Sequence, residues 1–375
     1  MEFDRINIRE LNFIENKHEG DLLAERVPPV EPHDGMTVRG MAIPAQTETE
    51  PIHLTAGQNT ELSQDGSRIH AIADGNVRLE NGVVLIEPVV SVESVNYSTG
   101  NIRFEGSVVV EKDVADGFVI EADGDIQVGR GVGKATLRAG GNVLLKAGMS
   151  GNGVGAIECD GNLFAKYIES TQATSRKNVF VEEAIMHSRV TAWQHCVLNG
   201  RRSEIIASNI VVGGSLWCKK LGSVAEGPTY VSVGIDPELL GAFRDARKEL
   251  EQNETRFDEV QRQLQQIDHA LMSGRTDDRL YATREELAAE VEKLRKSLPD
   301  TRRRLHELRE NLQASRESRL VVEDTIFKGA VVLFGTSEYH APEKGARKTV
   351  LRKGPEGIQE EGFNPADRPT IPFPE

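Results

Sequence analysis

The stretch that most invites a phosphate-binding reading is Gly129-Arg130-Gly131-Val132-Gly133-Lys134-Ala135-Thr136, where glycines would expose backbone N–H groups to an anion and a lysine follows. The spacing does not fit. A phosphate loop needs four residues between its first glycine and the Gly-Lys pair, then Ser or Thr at once; here three intervene from Gly129, and Ala135 follows the lysine. Gly151-Asn152-Gly153-Val154-Gly155 repeats the glycine pattern one coil later without a lysine, so both read as corner loops and no cofactor is expected. Asp123, Asp125 and Asp160 offer a second chemistry, the acid–base cleavage of polysaccharides. A retaining or inverting pair needs carboxylates held about 5 to 9 Å apart across a groove. These three acids are separated by a rung carrying Gly140 and Asn142 instead, which fits corner carboxylates better. His187 and His195 lack ligand spacing to any Cys, Asp or Glu, so no metal is expected. Cys159, Cys196 and Cys218 are odd in number and show no CxxC; two of them occupy inward positions and read as reduced core thiols. No catalytic residue emerges, and the chain does not read as an enzyme.

These residues hang on a degenerate repeat between about Tyr97 and Val233. Its template is apolar, any, small, any, turn residue, any, apolar, any, apolar. It runs through Ile102, Phe104, Gly106, Val108, Val110, then Ile120, Ala122, Gly124, Ile126, Val128, then Leu137, Ala139, Gly141, Val143, Leu145. It continues through Ile157, Cys159, Gly161, Leu163, Ala165, then Ala173, Ser175, Lys177, Val179, Val181, then Val190, Ala192, Gln194, Cys196, Leu198. A seventh, shorter row is Ala207, Ile210, Val212. Steps between turn positions are 18, 17, 20, 16 and 17 residues. Alternation of period two at such a step predicts one coil of a parallel β-helix per row. The handedness of parallel crossovers makes that helix right-handed. Gly or Asn at the corners is expected to supply positive φ.

Around it the chain divides into a β-rich N-terminal cap module (1–96), the parallel β-helix (97–235), an antiparallel coiled-coil hairpin inserted at 236–319, strands returning to the β-helix (320–353) and a disordered tail (354–375). The fold class is mainly β with inserted α. In the cap module Asp65-Gly66, Asp74-Gly75 and Asn81-Gly82 read as hairpin turns. Asp236 is the expected N-cap of the first arm, with Pro237 in the first turn. One seam carries Phe243, Leu250, Phe257, Leu264 and Leu271, and its companion Ala246, Asn253, Val260 and Ile267. The second arm repeats the pattern through Val291, Leu298, Leu305 and Leu312, with Pro299 expected to kink or interrupt it. Arms of about 36 residues would reach about 54 Å.

One outward row is unusual. Val109, Gln127, Leu144, Phe164, Phe180, Val197 and Val211 follow the turn-proximal apolar position, and five successive rungs present an apolar side chain. Such a ridge calls for a cover: the N-terminal segment, the returning C-terminal strands, a nearby loop, a partner or a second copy. Leu144, Phe164, Phe180 and Val197 are the candidate partner-binding residues.

The formal charge of −14 argues against a nucleic-acid surface. Met1 to Glu10 has no signal-peptide pattern, and no segment suffices to span a bilayer.

Several segments resemble the flagellar assembly protein A family of bacterial cytoplasmic proteins. They include Gly20-Asp21-Leu22-Leu23-Ala24-Glu25 with Pro28-Pro29, Asp74-Gly75-Asn76-Val77 and Asn96-Tyr97-Ser98-Thr99-Gly100-Asn101-Ile102. Further carriers are Ala139-Gly140-Gly141-Asn142-Val143, Val181-Glu182-Glu183-Ala184-Ile185-Met186-His187-Ser188 and Val233-Gly234-Ile235-Asp236-Pro237-Glu238-Leu239. The resemblance implies a β-helix bearing a coiled-coil hairpin, no established catalysis, and a link to flagellar assembly or polar localisation. It also implies that many members carry a further N-terminal domain that this chain lacks. The expected function is a non-enzymatic cytoplasmic scaffold that binds flagellar assembly or regulatory proteins, or itself, without nucleic acid or membrane insertion. The rivals are a polymer-forming, bactofilin-like cytoskeletal β-helix and a carbohydrate-active β-helix enzyme.

Overall fold

Ile102 pairs with Ile120, Ile120 with Leu137, Leu137 with Ile157 and Ile157 with Ala173, each step across a parallel ladder. The computed structural model in which these rungs are seen describes residues 14–28, 32–45, 53–225, 227–273, 278–313, 318–354 and 357–365. The chain divides into two units, Met1–Ser175 and Arg176–Glu375. It is mainly β, with β-solenoid rungs in both units and two helices in the second.

In the first unit each coil has three faces. One stacks Val90, Val108, Ile126, Val143 and Leu163 inward, and the next stacks the isoleucine and leucine column above. The third is a single-residue ladder of Val95, Val114, Val132, Met149 and Ile168. Most of these side chains are fully buried, so period-two alternation converts directly into a dry aliphatic core.

The cap module before the coils holds small sheets. Gly75–Glu80 and Val83–Glu87 form a hairpin turned by Asn81 (φ 50°) and Gly82 (φ 83°), as the Asn-Gly pair requires. Thr60–Leu62 and Arg68–Ala71 pair around Asp65-Gly66. Asp74-Gly75 is not a hairpin turn. Gly75 opens a strand instead, at a point where a Cβ would lie 2.5 Å from the Glu87 carbonyl oxygen. Asn16 ties the module to the first coils, donating to the Arg103 carbonyl at 3.3 Å and accepting from the Glu105 N–H at 3.4 Å.

In the second unit Cys196 stacks on Leu216 and Leu216 on Leu320, while Val190, Ile210, Val231 and Val332 form the opposite column. The seventh row is corrected here. Ile210, Val212, Gly214, Leu216 and Cys218 follow the template without shortening, and Gly213-Gly214 hydrogen-bonds back to Ala192 and Gln194. All three cysteines are therefore inward.

After the strand Thr229–Val233 the chain leaves as α1 (Pro237–Met272) and returns as α2 (Asp278–Gln313). Asp236 caps α1 by accepting the N–H groups of Glu238 and Leu239. The helices run antiparallel, bound by Arg302–Glu254 (2.7 Å), Arg256–Glu290 (2.8 Å) and Arg284–Asp268 (2.6 Å). Pro299 does not interrupt α2. It lies on the exposed face, where the carbonyl left without its N–H partner can meet water. Arg319–Ile326 then rejoins parallel to Leu216–Leu221, and Ala330–Phe334 parallel to Thr229–Val233.

The last strands reverse direction. Ser337–His340 pairs antiparallel with Ala330–Phe334, Ala346–Gly354 antiparallel with Arg319–Ile326, and Gly357–Gly362 adds to Ala346–Gly354. The expectation of a disordered tail from 354 is thus corrected over 357–362, because backbone pairing with an open edge outweighs a Gly-rich composition. Residues 366–375 lie outside the described residues.

Candidate functional site

The outward row splits between the units. In the first, Val109, Gln127, Leu144 and Phe164 are register partners, with Leu144 half-buried and Phe164 only 8% exposed. In the second, Phe180 pairs with Val197, Val197 with Trp217, Trp217 with Val321 and Val321 with Val350. Val211 does not belong to this row; it sits on another face, between Thr191 and Ser232.

The second-unit row is covered by its own chain. Val197, Trp217, Val321 and Val350 form a buried cluster against which Phe180 and Phe363 pack. Phe363, just past the final strand, meets the Trp217 ring edge-on at 5.8 Å and 79°. The indole N–H donates to the buried Glu323 carboxylate at 2.8 Å. Of the candidate docking residues, Val197 is therefore buried in this cluster and Phe180, partly buried, packs against it. Trp217, Val321, Val350 and Phe363 are absent from the sequence-based row because the seventh rung was out of register. The signal was present in Gly214-Ser215-Leu216-Trp217-Cys218, which repeats Gln194-His195-Cys196-Val197-Leu198.

The corner residues are committed to the backbone. In the first unit Ser107 Oγ accepts the Asp125 N–H (3.0 Å), Asp125 Oδ1 the Asn142 N–H (2.5 Å), and Asn142 Oδ1 the Asn162 N–H (2.9 Å). In the second, Asn178 Oδ1 accepts the His195 N–H (3.0 Å), His195 Nδ1 the Ser215 N–H (3.0 Å), and Ser215 Oγ the Arg319 N–H (3.2 Å). Each corner side chain thus satisfies the next coil's donor where the strand ladder bends. Asp125 and His195 are occupied in this way, and Asp123 and Asp160 are exposed.

At Asn152 and Gly153 φ is positive as expected (48° and 84°), but the stacked glycines at the template's turn position, Gly106, Gly124, Gly141 and Gly161, do not have positive φ. They stack, Gly124 N–H on the Gly106 carbonyl, Gly141 on Gly124 and Gly161 on Gly141, at 3.0, 2.9 and 2.8 Å. Absence of a side chain lets the coils approach; a Cβ on Gly161 would lie 2.6 Å from the Gly141 oxygen. Left-handed backbone falls at Ser170, His187 and Ala207. His187 is a bend residue, with its N–H on the Ile206 carbonyl.

The Gly129–Thr136 loop has its N–H groups taken. Asp113 Oδ1 accepts from Gly131 (3.0 Å) and Asp116 Oδ1 from Lys134 (2.8 Å), with the Lys134 ammonium 3.5 Å from Asp116. A phosphate there would have to displace two carboxylates. Burial pushes the thiols of Cys159 and Cys196 up to about 12 and that of Cys218 well above its ordinary value, so none is a ready nucleophile. Among the described residues no group of three or more His, Cys, Asp or Glu is placed to hold a metal, and no helix is long and apolar enough to cross a membrane.

The family model for the Flagellar Assembly Protein A beta solenoid domain matches residues 88–356, and that for the Flagellar Assembly Protein A N-terminal region matches residues 1–82. A counterpart of the family's N-terminal region is therefore present, correcting the expectation that it is lacking. No curated protein and no solved structure matches the chain.

Proposed function

Because the chain belongs to the flagellar assembly protein A family, we propose that it serves flagellar assembly as a non-enzymatic scaffold. In this reading a rigid right-handed β-helix presents α1 and α2 as an antiparallel coiled-coil arm that binds other proteins, in the cytoplasm and at the cell pole. The observation that carries it is the position of the helices. Two 36-residue helices leave the stack and return to it, and Val231 still pairs with Val332 across the insertion. Ala246 and Val260, both seam positions, are buried between them, which supports the coiled-coil assignment. The crossover rule supports the handedness.

A polymer-forming β-helix would need open parallel ends. Here the final edge strand, Gly357–Gly362, is antiparallel and carries Glu360 and Glu361, a charged edge that resists further pairing. A polysaccharide-cleaving wall would need free paired carboxylates, whereas Asp125 is held by Asn142. The test is a chain with residues 240–316 replaced by a short Gly-Ser linker, returned to the flagellated parent strain. The scaffold reading expects loss of swarming and of captured flagellar proteins while the β circular-dichroism spectrum persists. Unchanged swarming and capture would overturn it.

A further inference from the structure

At the root of the helix pair, the first turns of α1 and the last turns of α2 stand off from the outer face of the second unit's strands and enclose a cleft of about 960 Å³. Its apolar lining comes from Phe243 and Leu250 of α1, Leu305 and Leu312 of α2, and Tyr230 and Leu333 of the strands. Arg244, Arg247 and Arg309 also line it. These three guanidiniums are exposed and form no ion pair among the described residues. By contrast Arg302, which also lines the cleft, and Arg256 and Arg284 further along the helices are each taken by a carboxylate. Of the cleft's own acids, Glu254 is held by Arg302 and Glu338 lies 3.3 Å from His340, leaving Glu251. On a chain of net charge −14 this is a local reversal of sign over an apolar floor.

The lining along α1 runs from Leu240 to Glu254. At 1.5 Å per residue that is about 21 Å, the length of a helix of about four turns and too long for a compact small molecule. We propose that the cleft seats an amphipathic helix of a partner protein, with apolar residues recurring at i, i+3, i+4 and i+7 and Asp or Glu on its flanks. The apolar face contacts Phe243, Leu250 and Tyr230, and the unpaired guanidiniums receive the carboxylates, for which their forked geometry is suited. The proposal rests on the protein-binding reading above and names the chemistry of its partner.

The probe is a fluorescein-labelled synthetic peptide of about 14 residues with leucines in that pattern and glutamates on the flanks, compared by anisotropy with a twin carrying lysines instead. Three solvent-exposed rim pairs, each weak, predict that the full chain binds the glutamate peptide about tenfold or more tightly than the lysine one. Combining Arg244→Glu, Arg247→Glu and Arg309→Glu should invert that order. Melting should be unchanged, since the three side chains are exposed and unpaired. Tyr230→Ala should weaken both peptides. Equal binding of the two peptides, indifference to the triple reversal, or no binding of either overturns the proposal. If neither peptide binds while removal of the helix pair still abolishes swarming, the scaffold reading stands and only this cleft is withdrawn.

Discussion

Trp217 and Glu323 lie on neighbouring parallel strands, with the indole N–H 2.8 Å from the carboxylate and the residues 4% and 8% exposed. The pair anchors the face that the C-terminal strands close. Glu323→Ala would leave the indole donor unpaired and should cost about 1–3 kcal/mol in urea unfolding. Glu323→Gln keeps an acceptor and should cost clearly less. Equal losses for Ala and Gln would mean that the charge, not the acceptor, matters.

Corner glycines separate room from backbone conformation. Gly161→Ala places a Cβ 2.6 Å from the Gly141 oxygen and should destabilise by about 1–3 kcal/mol through overpacking. Gly153→Ala meets nothing within 4 Å but holds φ at +84°, and should cost about 1 kcal/mol. Gly131→Ala, with its nearest contact at 3.6 Å and no positive φ, should be nearly silent. Urea midpoints of the three variants give the order directly.

Asp125 acts through its acceptor oxygen, since Asn142 does the same one coil on. Asp125→Asn should therefore be tolerated, and Asp125→Ala should lose about 0.5–2 kcal/mol by orphaning the Asn142 N–H. A polysaccharide hydrolase activity lost in both variants would contradict this assignment.

The thiols titrate in the direction burial dictates. Cys159 and Cys196 are raised from 9.0 to about 12, so the folded state holds their protons where the unfolded chain would release them. That contribution is intact below pH 9 and is lost as pH rises towards 12. Iodoacetamide at pH 8 should leave all three cysteines unmodified in the native protein and modify all three in urea, as mass spectrometry would report.

The repeating rungs, the Asp236-Pro237 helix start and the length of both helices were legible because each depends on local periodicity or capping. The fate of the outward row was not. It turned on Trp217, displaced from its rung by misalignment across the 20-residue step from Gln194 to Gly214, and on Phe363, which follows an edge strand that composition assigned to disorder. The stacked glycines Gly106, Gly124, Gly141 and Gly161 were located correctly but explained wrongly, whereas the positive φ expected of a corner does occur at Asn152 and Gly153. Positive φ and close approach leave the same letter in a sequence, and only inter-coil distance tells them apart. The cleft was likewise invisible, since it joins α1, α2 and strands that periodicity treats separately.

The corner ladder also gives the molecule a direction in time. Within each unit these backbone-binding acceptors precede their donors by 17 to 20 positions, so a coil leaving the ribosome meets its template already laid down. Ser215 is different: the N–H it receives belongs to Arg319, 104 positions later. Everything up to that corner can zip in order of synthesis, but the closing coil has to wait until both helices have emerged and doubled back.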